Sequence, residues 1–270
     1  MVEMTQQKDD TKDDTLISGA EFARFRDYFY RRTGLHFEDS KRYFVDKRLL
    51  ERMRITGHDS FRSYFTFVRF EAKGDEFQHL VNVMTVNETY FFRENAQLQL
   101  LTQHLLPRWL HLQGHHRPVK ILSAGCSSGE EPYSLVIALE EAWGKQAENL
   151  FTVTGGDLDR QILRKARDGL YSPFSFRGVP EHLRLRYFES AGPHFQLKPE
   201  LRHRVIFHEL NLLDPHYPAE LQEYDVILFR NVSIYFDIDT RLKIQRKLAE
   251  ILKPDGLLIV GSSETLANDL

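Results

Sequence analysis

The chain is 270 residues long, 41% hydrophobic, with a formal net charge of −3, so it can bury a sizeable core in one large or two modest domains and has no global attraction for nucleic acid. A single cysteine, Cys126, excludes internal disulfides and suits a reducing cytoplasm. No apolar run approaches the ~20 residues of a membrane-spanning helix, and the opening MVEMTQQKDDTKDD lacks a secretion signal's apolar centre, so residues 1–16 are expected to form a disordered tail.

Ser18 with Glu21 predicts a capping-box helix start, Phe22, Phe25 and Phe29 supply its apolar stripe, and Gly34 ends it. Further helices are expected at about 39–55, 60–73 and 75–85, which makes residues 17–86 a small helical domain. Between residues 20 and 73 there are thirteen Lys or Arg against eight Asp or Glu. Lys41, Arg42, Lys47, Arg48, Arg52 and Arg54 share one helical stretch, and Arg48 and Arg52 are taken as candidate partner-binding residues on a basic face. A merely solvated helix is the plainer reading. Gly114 and Pro118 then mark a loop, where His111, His115 and His116 lack the Cys or acidic companions of a metal site, and no metal is expected.

The most informative stretch follows. In VKILSAGCSSGEEPYS (119–134) a buried strand runs into a glycine loop, and Pro132 suits the first turn of a helix continued by Leu135, Val136, Leu139, Ala142 and Trp143. This strand, loop and helix open a nucleotide-type α/β fold. The loop has neither G-x-G-x-x-G nor G-x-x-x-x-G-K-[ST] spacing, which disfavours a nicotinamide dehydrogenase, and Glu130 and Glu131 place negative charge where a phosphate would sit. S-adenosylmethionine suits it better, being cationic, rich in ribose hydroxyls and free of phosphate. Taken alone, the loop reads equally well as a turn followed by helix-capping acids. The next strand, FTVTGGD (151–157), shifts the balance, because Asp157 at its tip is placed to accept ribose hydrogen bonds. Asp159 reads as a helix cap. RVIFHELN (204–211), YDVILFRN (224–231) and GLLIVGS (256–262) complete five strands whose polar ends share one crevice.

Five segments carry a family resemblance: NETYFFRE (87–94), GCSSGEEPYS (125–134), GDLD (156–159), NLLD (211–214) and RNVSIYFD (230–237). Together they resemble the chemotaxis-receptor protein-glutamate O-methyltransferases, the CheR family, over about residues 18–266. Val86 and Ser233 depart from that family's usual threonine and larger apolar residue without removing a polar contact. The resemblance implies a Rossmann-like class I methyltransferase sheet at 87–270, a small all-helical N-terminal domain and a small β-subdomain insertion at about 171–205. It implies S-adenosylmethionine as cofactor, S-adenosylhomocysteine as product, and methyl esters on glutamates of a chemoreceptor's cytoplasmic helices, with a cytoplasmic enzyme.

The resemblance also assigns cofactor contacts to Asn87, Thr89, Arg93, Glu130, Asp157, Asn211, Leu212, Asn231 and Val232. Arg93, whose fork binds two carboxylate oxygens, and Tyr235 are the candidate catalytic residues. Tyr235 reads equally well as an amphipathic core residue beside Phe236. Phe91 and Phe92 are read as core, and Cys126 as a small buried residue without chemistry. GPHFQLKPELRHRVIF (192–207) is short and has one glycine, so docking of a receptor's C-terminal peptide is not expected. Relatives usually continue beyond the SSETL segment (262–266) into a closing strand, so an open sheet edge is expected here. Two other classes stay open: a methyltransferase for another substrate such as nucleic acid, and a non-catalytic sensor of S-adenosylmethionine.

Overall fold

The computed structural model describes residues 17–113 and 117–268. The expectations for the tail at 1–16 and for Gly114, His115 and His116 lie outside the described residues.

Helix α1 (Gly19–Thr33) begins at the expected capping box, with Ser18 Oγ accepting from Glu21 N–H and Glu21 Oε2 from Ser18 N–H. It ends at Gly34, whose φ of 74° suits glycine and whose missing Cβ leaves room for Leu213 and Thr240. A 3₁₀ turn leads into α2 (Arg42–Thr56), followed by α3 (Phe61–Phe70) and α4 (Asp75–Met84). Phe22, Phe25 and Phe29 join Val45, Leu49, Leu80 and Val81 in one apolar core.

Charge in this domain is arranged differently from the expected basic face. Arg52 forks onto Glu76, with Nε and Nη2 at 2.9 and 2.6 Å from its two oxygens, and the buried Tyr64 hydroxyl donates to the same carboxylate at 2.6 Å. Arg48 donates to the Val83 carbonyl and stacks 3.4 Å over the Phe44 ring. Both guanidinium groups are committed inside the domain because a partly buried cation needs hydrogen-bond partners. Lys41, Lys47 and Arg54 remain exposed.

Residues 95–113 form α5 (Asn95–Leu100) and α6 (Leu106–Gln113), joined through a single π-type turn. The α/β domain then runs β1 (Val119–Ala124), α7 (Glu130–Trp143), α8 (Ala147–Leu150), β2 (Phe151–Asp157), α9 (Arg160–Asp168), β3 (Leu170–Tyr171), α10 (Glu181–Tyr187), β4 (Phe188–Ala191), β5 (His194–Leu197), α11 (Pro199–Arg202), β6 (Val205–Glu209), β7 (Tyr224–Phe229), α12 (Ile238–Glu250) and β8 (Leu252–Val260). The main sheet has the order β6-β2-β1-β7-β8 and is wholly parallel. Alternate residues feed two cores: Ile121, Val226 and Leu228 pack with α7, whereas Leu122, Ile227 and Phe229 pack with Ile244 and Leu248 of α12. The strand order reverses between β1 and β7, which opens the crevice at the carboxyl ends of the strands.

The insertion is a three-stranded antiparallel sheet of order β3-β5-β4. It supports the segment that leads to Arg93, since Phe91 packs against Tyr171, Phe176 and Phe188 and its N–H donates to the Ser175 carbonyl. Among the described residues β8 lies at one edge of the main sheet, and no helix is long and apolar enough to cross a membrane.

Candidate active site

The carboxyl ends of β1, β2, β6 and β7 form the floor of a cleft of about 1100 Å³, and the helical domain forms its opposite wall through residues such as Thr33, Phe37, Lys41 and Met84. The two domains are stitched beside it. Leu35 bridges Phe236, the Tyr30 hydroxyl donates to Asp237 at 2.6 Å, Asn211 Nδ2 donates to the Arg32 carbonyl at 2.9 Å, and Asn82 Nδ2 donates to Asp159 at 2.7 Å.

The glycine loop after β1 turns back on β2. Gly125 and Cys126 N–H both donate to the Gly156 carbonyl, and a Cβ on Gly125, at φ 82°, would come within 2.5 Å of Val232. Only glycine keeps this corner of the crevice open. Asp157 holds the loop from the other side, its two oxygens accepting from Ser127 N–H at 2.8 Å and Asp159 N–H at 2.9 Å. Burial raises its pKa to about 6, against the opposing effect of those backbone donors. Each oxygen retains acceptor capacity toward the cleft. Asp159 caps α9 through Gln161 and Ile162 N–H, as expected.

Of the nine residues assigned to the cofactor, Asn87, Thr89, Arg93, Asp157, Asn211, Leu212, Asn231 and Val232 line the cleft. Glu130 does not. Its carboxylate is buried against Ser128 and Ser175, and the adjacent Glu131 faces the cleft instead. One residue at a helix start turns a side chain by about 100°, which separates the two acids completely. Burial pushes both carboxyls above their ordinary pKa, opposed at Glu131 by Arg230 and by a 2.7 Å hydrogen bond from Ser123. Arg93 donates to the Glu88 carbonyl at 3.0 Å, and Tyr235 donates to the Val86 carbonyl at 3.1 Å; both side chains border the cleft. Phe91 is core, and Cys126 is buried with its thiol pKa pushed well up by burial.

Four charged residues outside the expected set organise the floor. Arg230 borders the cleft while almost wholly buried, near Glu94 and Glu131. Glu94 accepts from Asn231 Nδ2 and Ser262 N–H; burial opposes its ionisation, yet these bonds and Arg230 hold its pKa down. Glu264, buried after β8, accepts from Gly261, Asn231 and Ser233 N–H at 2.6 to 2.8 Å and from the Ser233 hydroxyl, fixing Asn231 at φ 59°. All four belong to segments already conspicuous in the sequence, 87–94, 125–134, 230–237 and 262–266. Their long-range pairing, across 31 to 137 residues, has no local signal.

The cleft fits S-adenosylmethionine. Asp157 offers acceptors at the ribose position of such folds, Glu131 offers negative charge for an ammonium, and Arg93 offers a fork for a carboxylate. Its volume lies at the top of the range for small-molecule sites, about 300–1,000 Å³.

Comparison with known proteins agrees. Residues 20–85 match the family described as CheR methyltransferase, all-alpha domain, and residues 87–270 match CheR methyltransferase, SAM binding domain. Chemotaxis protein methyltransferase 2 of Vibrio cholerae is 44% identical over 256 residues, covering 93% of this chain and 88% of the relative. Chemotaxis protein methyltransferases of Salmonella typhimurium and Escherichia coli are 35% and 36% identical, covering 99% and 93% of this chain and 89% and 86% of those relatives.

Proposed function

The chain belongs to the CheR methyltransferase family, and we propose that it methylates glutamate side-chain carboxylates on chemoreceptors, giving glutamate methyl esters and S-adenosylhomocysteine. The observation that carries this reading is the cleft itself, with Asp157 and Glu131 on its floor and Arg93 and Tyr235 at its border. S-adenosylmethionine supplies an electrophilic methyl group when bound. A glutamate carboxylate is already ionised near neutral pH, so the chain need provide no general base.

The residues act by placement. Asp157 accepts the ribose hydroxyls, Glu131 meets the donor's ammonium, and Asn231 and Val232 shape the adjoining wall. Arg93 binds a carboxylate in two-point fashion, and Tyr235 orients the acceptor by donating its hydroxyl to it in place of the Val86 carbonyl. Exclusion of water and alignment of acceptor oxygen with the methyl group supply the rate, for which orientation alone can contribute ~7–11 kcal/mol. The exposed cations Lys41 and Lys47 on the helical domain, beside the Arg54–Glu51 ion pair, attract the acidic receptor helix; Arg48 and Arg52 support that surface from within.

The test is transfer of radiolabel from S-adenosylmethionine to receptor in host membranes, followed by mild alkali. Label released as methanol is expected for an ester. Alkali-stable label, or methylation of polynucleotide instead of receptor, overturns the reading.

A further inference from the structure

Arg230 is the least expected charge in the molecule. It follows β7, its side chain is 1% exposed, and its Nη2 donates to the Arg93 carbonyl at 2.6 Å. Glu94 and Glu131 approach its guanidinium at 3.6 and 3.4 Å, longer than the 2.7–2.9 Å of a charge-assisted hydrogen bond. Nε and Nη1 have no hydrogen-bond partner. A closed structural ion pair would fill these donors, because unfilled buried donors are costly. Here the cation is instead divided between the turn that presents Arg93 and the carboxylate facing the donor.

That turn needs support. Phe92 and Glu94, on either side of Arg93, have φ of 59° and 52°, left-handed backbone that persists only where the surroundings impose it. Ser134 Oγ accepts from Phe92 N–H, Asn231 and Ser262 hold Glu94, and Arg230 holds the carbonyl between them. Glu131 is faced by Arg230 from the end of β7, Ser123 from β1, Arg93 and Glu94 from the turn, and the neutral Cys126 thiol from the glycine loop. Burial works against its ionised form, and Arg230 is the foremost opposing influence.

We propose that Arg230 is a positioning residue for the methyl donor: it keeps Glu131 charged at the cleft floor and fixes the turn that aims Arg93. The inference rests on the S-adenosylmethionine reading of the cleft and is independent of which acceptor is methylated. Its test is calorimetric binding of S-adenosylhomocysteine between about pH 6.5 and 8.5, with thermal melting of each unliganded variant as a fold control. Arg230→Met is expected to weaken binding at least tenfold at neutral pH and to make affinity rise with pH, because loss of the cation leaves burial less opposed and raises the Glu131 carboxyl further. Arg230→Lys, which restores the charge, is expected to recover most of the affinity and a flat profile.

A folded Arg230→Met protein with wild-type affinity and profile overturns the proposal, as does Arg230→Lys no better than Met. Should Arg230→Met not fold, Glu131→Gln decides: about tenfold weaker, pH-independent binding supports the proposal, and unchanged binding overturns it. Failure of the wild-type protein to bind S-adenosylhomocysteine would remove the donor reading and this proposal together. Normal binding without transfer to receptors removes only the acceptor assignment.

Discussion

Among the described residues, Arg52 and Arg230 both sit deep among acids, and they are held in opposite ways. In the helical domain Arg52 closes on Glu76 with two contacts of 2.6 and 2.9 Å, and Tyr64 completes the same carboxylate. At the cleft floor Arg230 meets Glu94 and Glu131 only at 3.4 to 3.6 Å and keeps two nitrogens unfilled. A closed pair specifies a packing arrangement; an open one leaves field and hydrogen-bonding capacity available to whatever enters the cleft. The same residue types therefore build a fold in one wall and a site in the other.

The sharpest way to break this comparison is to reverse Arg52. Arg52→Glu sets a second carboxylate against Glu76, and breaking a buried pair costs about 3–5 kcal/mol, so the protein is expected to melt at markedly lower temperature or fail to fold. A loss below ~1 kcal/mol would mean that the pair is as dispensable as a surface contact. Next in size is Arg93→Ala, expected to lower kcat/KM for receptor methylation about 10²-fold or more, equivalent to ~2.7 kcal/mol, through loss of a two-point anchor in a water-poor site. Near-normal turnover would return Arg93 to a local contact with the Glu88 carbonyl.

Asp157 comes third. Asp157→Ala is expected to weaken S-adenosylhomocysteine binding by ~1.5–3 kcal/mol without unfolding. The wild-type residue supplies a pH test as well. Burial raises its pKa from the ordinary 3.8 to about 6 in the unliganded protein, whereas ribose hydroxyls donate to the ionised form. Affinity should therefore be level above about pH 6 and fall roughly tenfold per unit below it. The same raised pKa means that the unliganded fold binds a proton more readily than the unfolded chain, so this group favours folding increasingly as pH falls from about 6 toward 4. The ligand-induced rise in melting temperature should shrink on acidification, and a constant rise across that window would disprove the assignment. The smallest effect belongs to Lys47→Glu, which should leave stability within ~0.5 kcal/mol and cofactor affinity unchanged while slowing association with an acidic receptor helix at low salt.

What the sequence makes legible is whatever local pattern dictates. The capping box at Ser18 and Glu21, the phenylalanine stripe of α1, the strand ending at Asp157 and the cap at Asp159 each follow from residues within a few positions of one another. The choice between Glu130 and Glu131 does not, because it depends on the rotation of α7 against the sheet. Nor does the withdrawal of Arg52 from the basic face, since Glu76 lies 24 residues away and only the packing of α2 on α4 brings them together. The clamp by Glu264 on Asn231 and Ser233 is invisible for the same reason. Long-range carboxylates are chosen by tertiary structure, and one chain carries no record of the pairing.

The seam between the domains has a thermodynamic consequence. A ligand that must draw two loose bodies together loses part of its interaction free energy to the entropy of immobilising them. Here Tyr30 on Asp237, Asn211 on the Arg32 carbonyl and the Leu35–Phe236 bridge already restrain that motion. The cleft consequently behaves as a preset mould, and its occupancy should change the molecule's hydrodynamic size very little.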